Sequence, residues 1–149
     1  DECMNRLSKL NISKNSKFEY FISIQNQLEL LNRKLIGNID CFDIDNNIIY
    51  EFKCVEKIEK EHFLQLAIYM YVYEIQKFYL NINSNKFIMK YVLYNILSNE
   101  YYEIKCNLND LKSMIQYLIL YKFSSKTIIS NMEFIKNNLK LKKKIIDYI

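Results

Sequence analysis

Asp40, Glu51 and Lys53 are the residues whose types and spacing could do chemistry. They flank a turn signal at Asp45–Asn47. If Asp45 and Asn46 are the central residues of a tight turn, Ile44 pairs with Asn47 and Asp40 falls directly opposite Glu51. Side chains so opposed share one face of a sheet, with Cβ atoms roughly 4.5–5.5 Å apart. Alternation along the strand then adds Lys53 to that face and sends Tyr50, Phe52 and Cys54 to the other. A slip of one residue would separate the group. Two facing carboxylates repel and call for a compensating charge, and a hard divalent cation such as Mg²⁺ supplies it. Mg²⁺ binds through one or two carboxylates together with waters and substrate phosphates. An ammonium alongside can order an attacking water or offset charge developing on a phosphate. The trio therefore suits hydrolysis of a phosphodiester. The plainer alternative is three solvent-facing residues on a half-exposed sheet, because E-x-K spacing is common by chance.

The elements that must hold these residues are legible in outline. Gln27–Leu31, a turn at Asn32–Arg33 and Lys34–Phe42 read as a hairpin. Ile48–Val55, β-branched and aromatic, makes a third strand of a meander. Phe18–Ile24 is an apolar run that fits either helix or strand, and Glu2–Leu10 is a short helix. Phe63, Leu66, Ala67, Met70 and Tyr73 recur at spacings of three and four, which predicts a helix from about Glu59 to Phe78. Phe87–Leu97 and Tyr101–Cys106 read as strands around a turn at Ser98–Asn99. Asn107 or Asn109 caps a helix that buries Leu111, Met114, Ile115, Leu118 and Ile119. A last helix covers about Lys126–Tyr148. The order βββ–α–ββ–α–α predicts a mixed α/β or α+β domain, one curved sheet with helices packed on it.

Composition bounds the rest. The 149 residues suit one domain spanning 1–149, and with half of them hydrophobic the chain can build a core. It contains no proline and one glycine. Heavy use of Asn, Ile, Lys and Tyr points to an AT-rich genome, as in a large DNA virus, a protist or a low-GC bacterium. That bias discounts both asparagine as a turn marker and lysine as a functional cation. The net charge is only +4. Lys136, Lys140, Lys142, Lys143 and Lys144 form a dense basic tail, readable as a solvated helix face or as a phosphate-tracking surface. No apolar run reaches the roughly 18 residues that a membrane span needs. The chain begins at Asp1 and reads as a piece of a longer protein without a signal peptide. Cys3, Cys41, Cys54 and Cys106 lack the close spacing of zinc or iron–sulfur ligands. They are expected to be reduced core residues of an intracellular protein, cytoplasmic or nuclear.

A wider pattern encloses the trio. Gly37-x-x-Asp40, a turn, an apolar strand ending Glu51-Phe52-Lys53, and then a helix carrying Gln65-x-x-x-Tyr69 resemble the PD-(D/E)XK nuclease superfamily, specifically its RecB-like branch. The resemblance covers about Leu28–Ile104, including the strand–turn–strand of Tyr91–Glu100. It implies a restriction-endonuclease-like core. It makes Asp40 and Glu51 ligands of Mg²⁺ or Mn²⁺, the main-chain carbonyl of Phe52 a further ligand, and Lys53 the catalytic lysine. Gln65 and Tyr69, one turn apart on one helix face, would steady the site and the substrate strand. It further implies a DNA nuclease acting on single-stranded or duplex DNA in replication, repair or recombination, joined to a helicase or other domains of a larger protein. The chain departs from the pattern in having no histidine ahead of His62. The upstream acid falls to Glu29, with Glu19 as the second choice. His62 reads as a surface residue at a helix start, and Asp43 and Asp45 as turn formers. Two other functions stay open: an inactive member of the fold that binds DNA or docks a protein, and an RNA endonuclease.

Overall fold

The computed structural model describes residues 2–25, 34–80, 89–124 and 136. In chain order its elements are α1 (Glu2–Ser8), β1 (Lys17–Ile24), β2 (Leu35–Asp43), β3 (Ile48–Lys53), α2 (Lys60–Tyr79), β4 (Lys90–Asn95), β5 (Glu100–Ile104) and α3 (Leu108–Ser124). The strands form one sheet in the order β1-β2-β3-β4-β5. Only β3 and β4 run parallel; the other neighbours are antiparallel. That follows from the connections. Short turns link β2 to β3 and β4 to β5, whereas β3 returns to β4 by way of α2, the crossover a parallel pair requires. The domain is mixed α/β, as expected.

The two faces of the sheet are covered unequally. α2 and α3 lie on one face, where Ile22, Ile24, Ile39, Ile49, Tyr91 and Leu93 meet Leu66, Met70, Leu111 and Ile115. On the other face Cys41, Tyr50, Val92 and Tyr94 are covered by Leu7, Leu10 and Ile12 from α1 and the loop after it. Leu64 and Leu118 join α2 to α3, so α2 is enclosed on two sides. This is why Leu64, Tyr71 and Val72 are buried, beyond the single stripe that periodicity predicts. The Tyr91 hydroxyl donates to Glu74 Oε1 at 2.6 Å and ties α2 to β4. Asn107 caps α3 by accepting the N–H of Asn109 at 2.7 Å.

The β2–β3 hairpin has the register that the site demands. Cys41, Phe42 and Asp43 pair with Tyr50, Ile49 and Ile48, which makes Asp40 and Glu51 the next opposed positions. Its four-residue loop closes with the N–H of Asn47 on the carbonyl of Ile44 at 3.4 Å, and Asn47 takes the left-handed conformation at φ 55°. Buried Asp43 fixes this loop. Its carboxylate accepts the backbone N–H and the side-chain amide of Asn46, at 3.2 and 2.8 Å, and the N–H of Ser13 at 3.1 Å. Burial alone would raise this carboxyl, but the hydrogen bonds from Asn46 and Ser13 outweigh it and hold the group below its ordinary value. A lowered folded value means that the stabilisation is complete above the unfolded value and fades as the pH falls through the folded one. Asp43→Ala should therefore cost about 1–3 kcal/mol at neutral pH by orphaning those donors. The gap from wild type, measured by urea unfolding, should narrow below about pH 4.

Two expectations need correction. The partner of β2 is Lys17–Ile24, the run read as ambiguous, with Ile24 opposite Leu35 at the end of the ladder. The predicted strand Gln27–Leu31 and its turn at Asn32–Arg33 fall outside the described residues, as does most of the predicted last helix. Glu19 interrupts β1 with φ 49°, which breaks the alternation of its side chains and hides the strand pattern in the sequence. Finally, only Cys41 is a core cysteine. Cys54 and Cys106 sit just past the ends of β3 and β5 and are exposed, and Cys3 is intermediate.

Candidate active site

Asp40, Glu51 and Lys53 come together on the α2 side of the sheet, as the register requires. Asp40 is half-buried, and its Oδ2 accepts the N–H of Phe52 at 2.7 Å. That bond ties β2 to β3 beyond the last main-chain pair. Glu51 is buried, only 1% exposed. Its Oε1 receives Lys53 Nζ at 2.6 Å, while its Oε2 is buried without a hydrogen-bond partner. Burial pushes the Glu51 carboxyl up to about 7; the hydrogen bond from Lys53 opposes this and the charge of Asp40 adds to it. The ring of Phe52 points to the opposite face, stacked on Tyr50 with centroids 5.6 Å apart.

The helix completes the arrangement. Lys53 Nζ also donates to Gln65 Oε1 at 3.1 Å, and Gln65 Nε2 donates to the Tyr69 hydroxyl at 3.0 Å. A continuous chain of hydrogen bonds thus runs Tyr69–Gln65–Lys53–Glu51, linking two helix positions to two strand positions. Gln65 orients the ammonium, since its amide is itself held by Tyr69. The glycine of the pattern has a concrete reason. A Cβ at Gly37 would stand 2.5 Å from Tyr69 Cε1 and 3.0 Å from Cδ1, so the phenol ring lies where any other side chain would begin. Gly37 is needed for close approach, not for an unusual backbone angle.

The remaining candidates separate clearly. Glu29 lies outside the described residues. Glu19 stands on β1 where the ladder skips the pair it would make with Asp40. Its left-handed backbone is uncommon for a residue with a Cβ. Its charge contributes to the upward shifts of both Glu51 and Tyr69, after burial and the nearer groups. His62 is a capping residue: its Nδ1 accepts the N–H of Glu59 at 2.9 Å at the start of α2. Asp45 accepts from Asn15 at 2.9 Å in the hairpin loop. Of the basic tail, Lys136 is exposed and the other lysines lie outside the described residues.

The donor set suits a divalent cation. A buried carboxylate oxygen without a partner, next to a second carboxylate, is costly unless a cation meets it. Among the described residues no three His, Cys, Asp or Glu side chains are grouped to hold an ion unaided. Two carboxylates with waters and substrate phosphates are nevertheless the usual complement for Mg²⁺.

A family profile of the PD-(D/E)XK nuclease superfamily matches residues 6–93, more than half the chain and the whole of the site just described. The chain belongs to the PD-(D/E)XK nuclease superfamily. The searches of curated proteins and of solved structures gave no match. Membership implies a nucleic-acid phosphodiester as substrate and a divalent metal as cofactor. Among the described residues, no helix is long and apolar enough to cross a membrane.

Proposed function

We propose that this domain is a metal-dependent DNA nuclease of the RecB-like branch, one part of a larger replication, repair or recombination protein. The observation that carries the reading is the buried, unpartnered Oε2 of Glu51 beside Asp40, with Lys53 held at the same point by Gln65. Asp40, Glu51 and the Phe52 carbonyl would hold Mg²⁺ or Mn²⁺. Glu19 is the acid we favour over Glu29 for the upstream role, because of its place opposite Asp40. When bound, the metal lowers the pKa of a water and polarises a phosphoryl oxygen.

The chain's own residues do the rest. Asp40 and Glu51 set the negative face that draws the cation in. The Lys53 ammonium offers further donors to the charge that builds on the phosphate oxygens. Gln65 restricts where that ammonium can go. Tyr69 accepts from Gln65, so its phenol proton is left to donate to a substrate oxygen. Exposed tyrosines and the basic tail supply stacking and phosphate attraction for a strand.

Incubating the protein with single-stranded DNA, duplex DNA and RNA, each with Mg²⁺, Mn²⁺ or EDTA, tests the reading. Cleavage of DNA that needs metal is the expected result. Cleavage confined to RNA would move the substrate class. Binding of DNA without cleavage of any substrate would make this an inactive member of the fold.

A further inference from the structure

Three polar side chains are buried among the described residues: Asp43, Glu51 and Asn95. Asp43 builds the hairpin loop and Glu51 the candidate metal site. Asn95 belongs to neither, and lies two residues beyond the span of the family match. It ends β4 in register with Lys53 on the parallel neighbour. Alternation from Tyr91 and Leu93 puts its side chain on the α2 face, the face of Lys53.

Its hydrogen bonds do what a missing strand residue would do. The side-chain carbonyl accepts the N–H of Val55 at 3.2 Å, and the side-chain amide donates to the carbonyl of Val55 at 2.7 Å. Such a two-bond exchange is how opposed residues of an antiparallel pair are linked; here a side-chain amide makes it beyond the end of the parallel β3–β4 pair. Asn95 thereby extends the sheet's grip two residues past the end of β3. The orientation of its amide is enforced from the β4–β5 turn. Ser98 Oγ takes the second amide hydrogen at 2.7 Å, with Glu100 Oε2 farther off at 3.3 Å. The carbonyl also accepts the N–H of Leu97 at 3.3 Å. Arg6 on α1 braces the same turn by donating to the carbonyls of Ile96 and Leu97. Lys53 is then fixed on both sides: its own carbonyl accepts the N–H of Ile96 at 2.8 Å, and Val55 is clamped two residues on.

We propose that Asn95 is a positioning residue that holds the end of β3, and through it the Lys53 ammonium, in place against Glu51 and Gln65. Its consequence for catalysis rests on the nuclease reading of Lys53; its hold on Lys53 does not. Without the clamp the strand frays just where the ammonium must be placed, and displacement of a reacting group by about 1 Å costs on the order of a hundredfold in rate.

The test compares wild type with Asn95→Ala and with Ser98→Ala. Ser98 is exposed, so the second variant retains the fold while loosening the Asn95 amide. Two quantities are read: the rate at which Lys53 is acetylated in metal-free protein, by mass spectrometry with exposed Lys57 as internal reference, and kcat and KM for Mn²⁺-dependent DNA cleavage. Both variants should label Lys53 several-fold faster relative to Lys57. Asn95→Ala should lower kcat by about 10- to 100-fold with KM within about threefold, and Ser98→Ala should do the same to a smaller extent. If Asn95→Ala fails to fold, Ser98→Ala decides. Wild-type labelling of Lys53 in the folded variants would overturn the proposal, as would a loss confined to KM. If wild type cleaves nothing, the nuclease reading fails by itself, and the labelling ratio still shows whether Asn95 holds Lys53.

Discussion

Lys53→Ala and Asp40→Ala should each abolish Mg²⁺- or Mn²⁺-dependent cleavage while leaving the circular dichroism spectrum unchanged. The two losses have different causes. Lys53 reaches the site as a half-buried ammonium bonded to Glu51 Oε1 and Gln65 Oε1. Removing it takes away a preplaced positive group, a change worth about a hundred- to a thousandfold in rate for donors of this kind. On the proposed reading Asp40 is one of two carboxylates that would hold the cation, so its removal should weaken metal binding as well as turnover. Its bond to the Phe52 N–H also fixes β2 against β3, which makes Asp40→Asn the informative companion. The amide oxygen can keep that bond, so Asp40→Asn should stay folded and still fail to cleave. Full activity in Lys53→Ala or Asp40→Ala would remove these residues from the site.

The second large effect is on stability and has the opposite sign. Glu51→Gln should stabilise the protein in EDTA while removing its activity. Glu51 is buried with one oxygen unpartnered, and burial raises its carboxyl from 4.5 to about 7. A carboxyl raised in the folded state favours the neutral acid there, so wild type is most stable when Glu51 is protonated. It loses that stability as the pH climbs from the unfolded value through the folded one. Glutamine carries no charge to bury and keeps an oxygen for Lys53. The gain should be small near pH 4 and reach about 1–3 kcal/mol above pH 7. Thermal melts of both proteins at pH 4.5, 6 and 8 in EDTA check this. A variant less stable than wild type at pH 8 would mean that the Lys53 pair outweighs the cost of burial. The prediction has a functional meaning: the site stores an unfavourable charge that a cation would relieve.

What could be read from the sequence, and what could not, follows from the range of the forces involved. The β2–β3 register is set locally, by a loop in which Asp43, Asn46 and Asn47 each have a defined job. A turn centred on Asp45 and Asn46 therefore opposes Asp40 and Glu51 without help from the rest of the fold. Gln65 and Tyr69 are legible through the resemblance to the superfamily's Q-x-x-x-Y, and one helical turn puts them on the same face. Strand β1 stays ambiguous in the sequence because its partner lies across the segment 26–33 and because Glu19 breaks its alternation. The two-sided burial of α2 depends on α3, which begins only at Leu108, beyond β4 and β5, and no periodicity within α2 can report it. Gly37 was recognised as part of a pattern, but its reason, the ring of Tyr69, exists only in three dimensions. Asn95 had no local signal, since in an asparagine-rich chain one more asparagine beside a turn looks like drift.

Calorimetric titration of Mn²⁺ into wild type and Asp40→Ala at pH 8 tests the central claim most directly, because it asks whether the facing carboxylates hold a cation. The account predicts saturable binding to wild type that Asp40→Ala weakens at least tenfold and that disappears when Glu51→Gln is added. Equal binding by all three proteins, or none by wild type even with an uncleavable DNA strand present, would contradict it.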